Sequence, residues 1–109
     1  MAEALKVLGQ ADPAATTLTA LYTVPGATSA VASSLTIANR TGSTKTVRVS
    51  VAIAGAGDAV EQYIIYDVKI LKNDFMTLTL GITLAATDVV RVYVDALGVS
   101  FNLFGTEVT

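Results

Sequence analysis

Apolar and polar residues alternate with a period of two along almost the whole chain, and clusters of turn-forming residues interrupt this alternation at short intervals. A period of two places successive side chains on opposite faces of an extended strand, so the pattern predicts strands that each have one buried face. Turn signals such as Asp12-Pro13 and Pro25-Gly26 separate the strands. The predicted strands are Ala4–Leu8, Thr17–Val24, Val31–Ala38, Lys45–Ile53, Glu61–Leu71, Phe75–Leu84, Val89–Asp95 and Val99–Val108.

About eight strands with short connections predict an all-β chain, a single-domain antiparallel β-sandwich of the jelly-roll or Ig-like type. No window of helical length shows a 3.6-residue period with capping residues, so we expect little or no helix. Residues 1–12 are expected to form an N-terminal strand or arm, and residues 13–109 the sandwich body of one domain overall. Because the Asp12-Pro13 break sets Met1–Gln10 apart, this segment is the candidate arm, and its deletion is expected to leave the fold intact.

The alternation also predicts which side chains of each strand face the core. In strands with one buried face, the apolar set points inward and the polar set points outward. The inward positions that the pattern predicts are Leu18, Tyr22, Val24, Val31, Leu35, Ile37, Val47, Val49, Val51, Ile53, Ile64, Tyr66, Val68, Ile70, Met76, Leu78, Leu80, Ile82, Val90, Val92 and Val94.

Four aromatic residues point away from the core in this register: Tyr63, Phe75, Tyr93 and Phe104. Outward aromatic side chains on strands either form cross-strand pairs at the surface or contact a partner. Our hypothesis is that several of the four become buried only in an assembly, which makes them the candidate partner-contact residues.

The sequence contains an internal echo at a shift of 43 residues. Leu35-Thr36-Ile37 aligns with Leu78-Thr79-Leu80, and Val47-Arg48-Val49 aligns with Val90-Arg91-Val92 without a gap. Either an old duplication or the shared alternation rule would produce such a match. In both cases we expect the two hairpins to occupy equivalent places, one in each sheet.

Histidine, cysteine and tryptophan are absent, which removes most catalytic and metal chemistry. Ser-His-Asp or Cys-His catalysis needs a histidine or a cysteine, and a zinc site of the usual kind needs the same ligands. The carboxylates that remain include Asp58, Asp74 and Asp88 in predicted turns, where Asp is favoured because it bonds to the backbone. We therefore expect no catalytic residue, no bound metal, no cofactor and no enzymatic activity.

The charge pattern bears on the partners of the protein. Its seven basic residues are scattered over a chain of net charge −2, so we expect no nucleic-acid binding. No apolar run reaches the roughly 18 residues of a membrane span, and Met1–Gln10 lacks the layout of a signal peptide. Charged residues make up only 15% of the chain, and an assembled protein tolerates a lightly charged surface more easily than a free monomer does. We expect a homo-oligomer with further protein partners.

Four stretches of the chain, which together with their surroundings cover nearly all of it, resemble the small virion structural proteins of tailed bacteriophages. This resemblance implies an accessory β-sandwich protein of the virion that is made in the cytoplasm of the bacterial host. The implied protein is of the capsid-decorating (cement) type or of the tail- and neck-associated type. The stretches are Ala15–Pro25, Ser34–Gly42, Asp74–Tyr93 and Ser100–Thr109.

Two functions follow from the resemblance. The first is a decoration protein, a dimer or trimer that binds other virion proteins, above all the major capsid protein, and stabilises the capsid by mass action. The second is an accessory module of the tail, neck or baseplate that binds a carbohydrate or receptor, with Tyr63, Tyr93 and Asp88 as the candidate contacts.

Overall fold

The structure is a computed structural model that describes residues 2–109, with the side chain of Leu80 excepted. Two single 3₁₀ turns, Ile53–Gly55 and Val60–Gln62, are the only helical segments among these residues. The strands are β1 Glu3–Ala11, β2 Thr19–Thr23, β3 Ser29–Asn39, β4 Lys45–Ala52, β5 Tyr63–Ile70, β6 Phe75–Leu84, β7 Val89–Val94 and β8 Val99–Val108.

The strands form two four-stranded antiparallel sheets that pack face to face. Sheet A has the order β1-β8-β3-β6, and sheet B has the order β2-β7-β4-β5. The first strand pairs with the last, the second with the seventh, the third with the sixth and the fourth with the fifth. This nested pairing, folded over into two layers, is the topology of an eight-stranded jelly roll. The all-β sandwich prediction is confirmed, and the strand order decides between the two types that the sequence left open.

The core lies between the sheets and consists almost entirely of aliphatic side chains. The strand ends agree with the sequence prediction to within a few residues, because the turn chemistry marks them so clearly. The inward sets of β4, β6 and β7 are largely confirmed, although the prediction for Leu80 lies outside the described side chains. The largest fully buried apolar side chains of the core are Val24, Leu35, Ile37, Val47, Val49, Val90, Val92, Val94, Val99, Phe101 and Leu103.

The predicted facing of β3 is wrong at Val31, because the strand contains a β-bulge. Ala32 pairs with Gly105 and Ser34 pairs with Phe104, so Ser33 is an extra residue relative to β8. A bulge shifts the alternation by one position. As a result Ala32 is fully buried, and Val31 lies on the outside with 40% of its surface exposed.

The predicted facing of β5 is wrong at Ile64 and Tyr66 for the same reason. Val47 pairs with Val68 but Val49 pairs with Ile65, so residues 66 and 67 together lie opposite one residue of β4. Asp67 adopts a left-handed φ of 55°, which makes room for the bulge. Tyr66 and Ile64 are therefore exposed, at 56% and 46%, while Val68 and Ile70 face the core as predicted. Ile53, also predicted inward, lies beyond the end of β4 and is 76% exposed.

The N-terminal segment is a strand of sheet A. From Glu3 to Ala11 it pairs with β8, and Leu8 reaches into the core. Gly9 lies directly against β2, since a Cβ there would come within 2.2 Å of the carbonyl oxygen of Leu21. Removal of this segment would expose both β8 and the core, so the structure leads us to expect that its deletion destabilises the fold, contrary to the expectation from the sequence.

The internal echo corresponds to a local two-fold axis that passes through both sheets. Leu35 pairs with Leu78 in sheet A and Val49 pairs with Val92 in sheet B, and each pair differs by the 43-residue shift. At the axis, each residue therefore lies opposite the residue 43 positions later in the chain. Rotation about the axis relates the unit β2–β3–β4 to the unit β5–β6–β7. Each unit has its middle strand in sheet A and its two outer strands in sheet B. The hairpins β3–β4 and β6–β7 therefore both cross between the sheets, and the expectation of one hairpin per sheet is wrong.

Asn39 joins the loops at one end of the sandwich. Its buried side-chain amide donates hydrogen bonds to the carbonyl oxygens of Ser43, Ile70 and Leu71, at 2.8, 3.0 and 3.1 Å. Its Oδ1 accepts hydrogen bonds from both the backbone N–H and the hydroxyl of Thr41. The Asn39-Arg40-Thr41 sequence is therefore a structural loop, in agreement with the turn chemistry of its residues.

We predict that Asn39→Ala lowers the free energy of unfolding by about 2–4 kcal/mol, because it leaves buried backbone carbonyls without a donor. Urea unfolding followed by circular dichroism measures the change. Thr44→Ala, at an exposed position in the same loop, should change the unfolding free energy by less than about 0.5 kcal/mol. Equal losses in the two variants would contradict the structural role of Asn39.

Candidate functional site: the outer faces of the two sheets

The outer face of sheet A carries three consecutive rows of residues without a charge. Each row consists of four residues that lie side by side on β1, β8, β3 and β6, in that order. We call these rows the uncharged face. It consists of Leu5, Thr106, Val31 and Thr83, then Val7, Phe104, Ser34 and Thr79, then Gln10, Asn102, Thr36 and Thr77.

One corner of the uncharged face is apolar. Leu5 is 87% exposed, and Val7, Val31 and Phe104 beside it are 48%, 40% and 36% exposed. Strand spacing and residue rise give the whole face an extent of about 15–20 Å in each direction, or roughly 300 Å². The apolar corner is the part of this face where burial against another protein would be favourable.

The outer face of sheet B has the opposite character, with a cation held between two aromatic rings at its centre. The guanidinium carbon of Arg48 lies 4.3 Å from the ring centre of Tyr66 and 4.6 Å from that of Tyr93. Its Nε donates a 2.6 Å hydrogen bond to Oδ1 of Asp67, and this bond raises the pKa of the guanidinium. The bulge in β5 creates the cluster, because it places both Tyr66 and Asp67 opposite Arg48.

Tyr63 extends the same cluster toward the loop that follows β4. Its ring makes an edge-to-face contact with Tyr66 at a centroid distance of 5.0 Å. Partial burial and the neighbouring carboxylate of Asp58 raise the pKa of its phenol. Arg91 fixes this loop with hydrogen bonds to the carbonyl oxygens of Ala56 and Gly55, at 2.8 and 3.1 Å. The outer face of sheet B is therefore charged and partly covered by the chain itself.

The four predicted contact residues divide between the two faces. Tyr63 and Tyr93 lie half-buried around Arg48 on sheet B, whereas Phe104 lies within the uncharged face of sheet A. Phe75 begins β6 beyond the last row of that face and is 65% exposed. All four lie outside the core of the sandwich, and their role as partner contacts stays a prediction.

Sequence reasoning missed Arg48, Tyr66 and Asp67 as a cluster. No signal in the alternation reveals the bulge that brings them together. The uncharged face was missed as well, because its rows combine residues from both ends and the middle of the chain. The low proportion of charged residues was the one hint that such a face exists.

Asp88, a candidate sugar contact, performs a structural task. Its Oδ1 accepts a hydrogen bond from the backbone N–H of Ala54, and its Oδ2 accepts one from that of Ala85, both at 2.9 Å. The residue is 8% exposed, so both oxygens are committed to the turns around it. This is the backbone-bonding role that the sequence predicts for Asp in a turn.

Other kinds of site are scarce in the part of the chain that the structure describes. No three acidic side chains there come close enough together to hold a metal ion. Within residues 2–109, no helix has the length and apolar character that crossing a membrane requires. One open surface depression, at the end of β1 and β8, is lined by Gln10, Ala11, Asp12, Ser100, Phe101 and Asn102.

Comparison with known proteins gives no family. No protein-family model matches the chain, and no curated protein matches it significantly.

A titratable cluster connects the two sheets on the inner side of β1 and β8. The hydroxyl of Tyr22 in β2 donates a 2.5 Å hydrogen bond to Glu107 in β8, and Lys6 in β1 forms a 3.0 Å ion pair with the same carboxylate. These two hydrogen bonds lower the pKa of Glu107. Burial, followed by the hydrogen bond to Glu107, raises the pKa of Tyr22.

The cluster is expected to stabilise the fold over a limited range of pH. A lowered carboxyl pKa stabilises the fold above the ordinary value of 4.5 and loses this effect as the pH falls below it. A raised phenol pKa stabilises the fold below the ordinary value of 10.0, and the effect is lost as the pH rises toward the folded-state value. The cluster therefore makes its full contribution to the free energy of unfolding between pH 4.5 and pH 10.0.

We predict that Glu107→Gln flattens the loss of stability below pH 4.5, the ordinary value of the carboxyl pKa, and that Tyr22→Phe flattens the loss above the ordinary phenol value of 10.0. Urea unfolding at a series of pH values measures both slopes. Glu3→Gln, at an exposed position of the same strand pair, is the control and should keep the wild-type acid slope. An acid slope that is identical in wild type and Glu107→Gln would contradict the assignment.

Proposed function

We propose that this protein is a structural component of a tailed-phage particle that binds other virion proteins through the uncharged face and stabilises the capsid as a decoration protein. The observation that carries the proposal is the contrast between the two outer faces. Sheet B presents Arg48, Asp67 and Arg91 to the outside, whereas the twelve positions of the uncharged face hold no charge.

The size of the uncharged face supports a role in a repeated lattice. A stable interface between two free proteins buries roughly 800 Å² on each side, which is more than twice the area of this face. A single contact of about 300 Å² is therefore weak. Many such contacts on a symmetric shell add through avidity, and a component that binds only the assembled shell stabilises it.

The fold is compatible with this role by analogy alone. Eight-stranded jelly rolls occur in viral capsid proteins, but also in lectins and in enzymes of the cupin type. A fold does not determine a function, so the support comes from the chemistry of the face.

The carbohydrate-binding alternative has less support. A sugar ring stacks on the free face of an aromatic side chain, but Arg48 lies over the rings of both Tyr66 and Tyr93. Both carboxylate oxygens of Asp88 are bonded to backbone N–H groups, so neither is free to bind a sugar hydroxyl. We therefore place the contact on sheet A.

The first test is the copy number of this chain in purified particles of the virus that encodes it, measured by quantitative mass spectrometry against the major capsid protein. We expect a ratio of one or a simple fraction of one, and a loss of capsid heat resistance in particles that lack the protein. Complete absence from the particle, or a few copies at the tail, would contradict capsid decoration.

A point substitution locates the contact. We predict that Val31→Lys lowers binding to particles that lack the protein by roughly tenfold or more, since it buries a charge without a partner at the interface. Ala20→Lys, at an exposed strand position of sheet B, is the matched control and should bind like the wild type. Co-sedimentation measures both variants, and equal binding by the two would contradict the assignment of the face.

A further inference from the structure

Strand β6 has one hydrogen-bonding edge that no other described strand occupies. It lies at the end of sheet A, and its only neighbour in that sheet is β3. Its ten residues, Phe75–Leu84, include neither a charge nor a proline. A long and uncharged edge of this kind presents unpaired backbone N–H and C=O groups and acts as a template for another strand.

The other three edges of the sandwich carry features that oppose strand addition. Strand β5 has two register shifts, a left-handed residue at Asp67 and a charge at Lys69. Strand β1 carries Glu3 and Lys6 and lies against the backbone of β2, which itself has only five residues. In β6 the pairing shifts only at residues 80 and 81, so that Phe75–Thr79 is regular.

The core is incompletely covered along the same side. Met76 and Leu78 of β6 and Ile65 and Val68 of β5 pack against the core but are only partly buried. Strands β5 and β6 are the edge strands of the two sheets on this side of the sandwich. A strand added to β6 would cover these apolar side chains, which gives a hydrophobic gain in addition to backbone hydrogen bonds.

The local two-fold axis indicates the direction of the missing strand. The axis maps sheet B onto itself, because β2 corresponds to β5 and β4 to β7. In sheet A it exchanges β3 with β6, but β3 has β8 on its other side and β6 has nothing in the described chain. The position equivalent to that of β8 is therefore vacant, and a strand there would run antiparallel to β6.

We propose that β6 of a second copy of this chain occupies the vacant position, paired antiparallel about a two-fold axis at Thr77. This register places Met76 of one copy opposite Leu78 of the other on the inner side, and Phe75 opposite Thr79 on the outer side. A strand without charge has no like-charge conflict when it pairs with itself, which is the condition that self-pairing imposes.

The dimer would contain a continuous eight-stranded sheet. Since its two-fold axis is perpendicular to this sheet, the uncharged faces of the two copies lie on the same side and join into a surface of roughly 600 Å², twice the single face estimated from strand spacing. The proposal of a dimer depends only on the properties of the β6 edge, so it does not require that the protein decorates a capsid.

The test uses the purified full-length protein and sedimentation velocity across micromolar concentrations. We expect the wild type to dimerise, and Thr77→Lys to raise the dissociation constant of the dimer by roughly tenfold or more, because two like charges then lie directly opposite each other. Thr77→Asp should have the same effect. A mixture of the two variants should form the heterodimer, since opposite charges now face each other across the axis.

Thr83→Lys is the matched control, because it makes the same change on the outer side of the same strand but beyond the register shift. It should dimerise like the wild type. A wild type that remains monomeric would overturn the proposal and would leave the edge to a strand of another protein. Dimers of Thr77→Lys that are as stable as those of the wild type, or a loss of dimer in Thr83→Lys alone, would overturn it as well.

Discussion

The pairing of the two ends of the chain is the interaction on which the rest of the structure depends. Strands β1 and β8 form the outermost pair of a nested set, and the ion pair between Lys6 and Glu107 joins residues 101 positions apart. Closing so long a loop costs conformational entropy that local contacts cannot repay. The pair therefore forms only together with the core it covers, and Tyr22 connects this closure to the second sheet through the same carboxylate.

The alternation of the sequence determines the strands but not their partners. It predicts the eight strands and most of their ends, because each strand has one buried face and each turn has its own chemistry. Pairing order depends on contacts between distant residues, and the jelly roll and the Ig-like sandwich therefore remained open at the level of the sequence. The bulges at Ser33 and Asp67 were equally invisible, since a single extra residue changes the facing of a strand without changing its composition.

Those bulges decide the chemistry of the two outer faces. At Ser33 the shift places Val31 outside, beside Phe104 and the exposed end of β1, and so creates the apolar corner of the uncharged face. At Asp67 the shift turns Tyr66 outward, where it forms the cluster around Arg48. Outward positions of Tyr93, Phe104 and Phe75 followed from the pattern because their strands are regular at those points. Their grouping into two different surfaces could not be predicted without knowledge of the strand order.

The local two-fold axis explains why the two sides of the sandwich differ. Two equivalent three-stranded units, β2–β3–β4 and β5–β6–β7, would by themselves form a symmetric body with both lateral edges of sheet A open. Strands β8 and β1 lie beside β3 and close one of these edges, while the equivalent position beside β6 has no strand from the described chain. An edge strand is a liability that proteins commonly blunt with charges, prolines or short length, as β5 and β2 are blunted here. The absence of these devices from Phe75–Thr79 is the physical basis of the proposed pairing with a second copy, because an exposed, uncharged edge is a template for other strands unless a partner covers it.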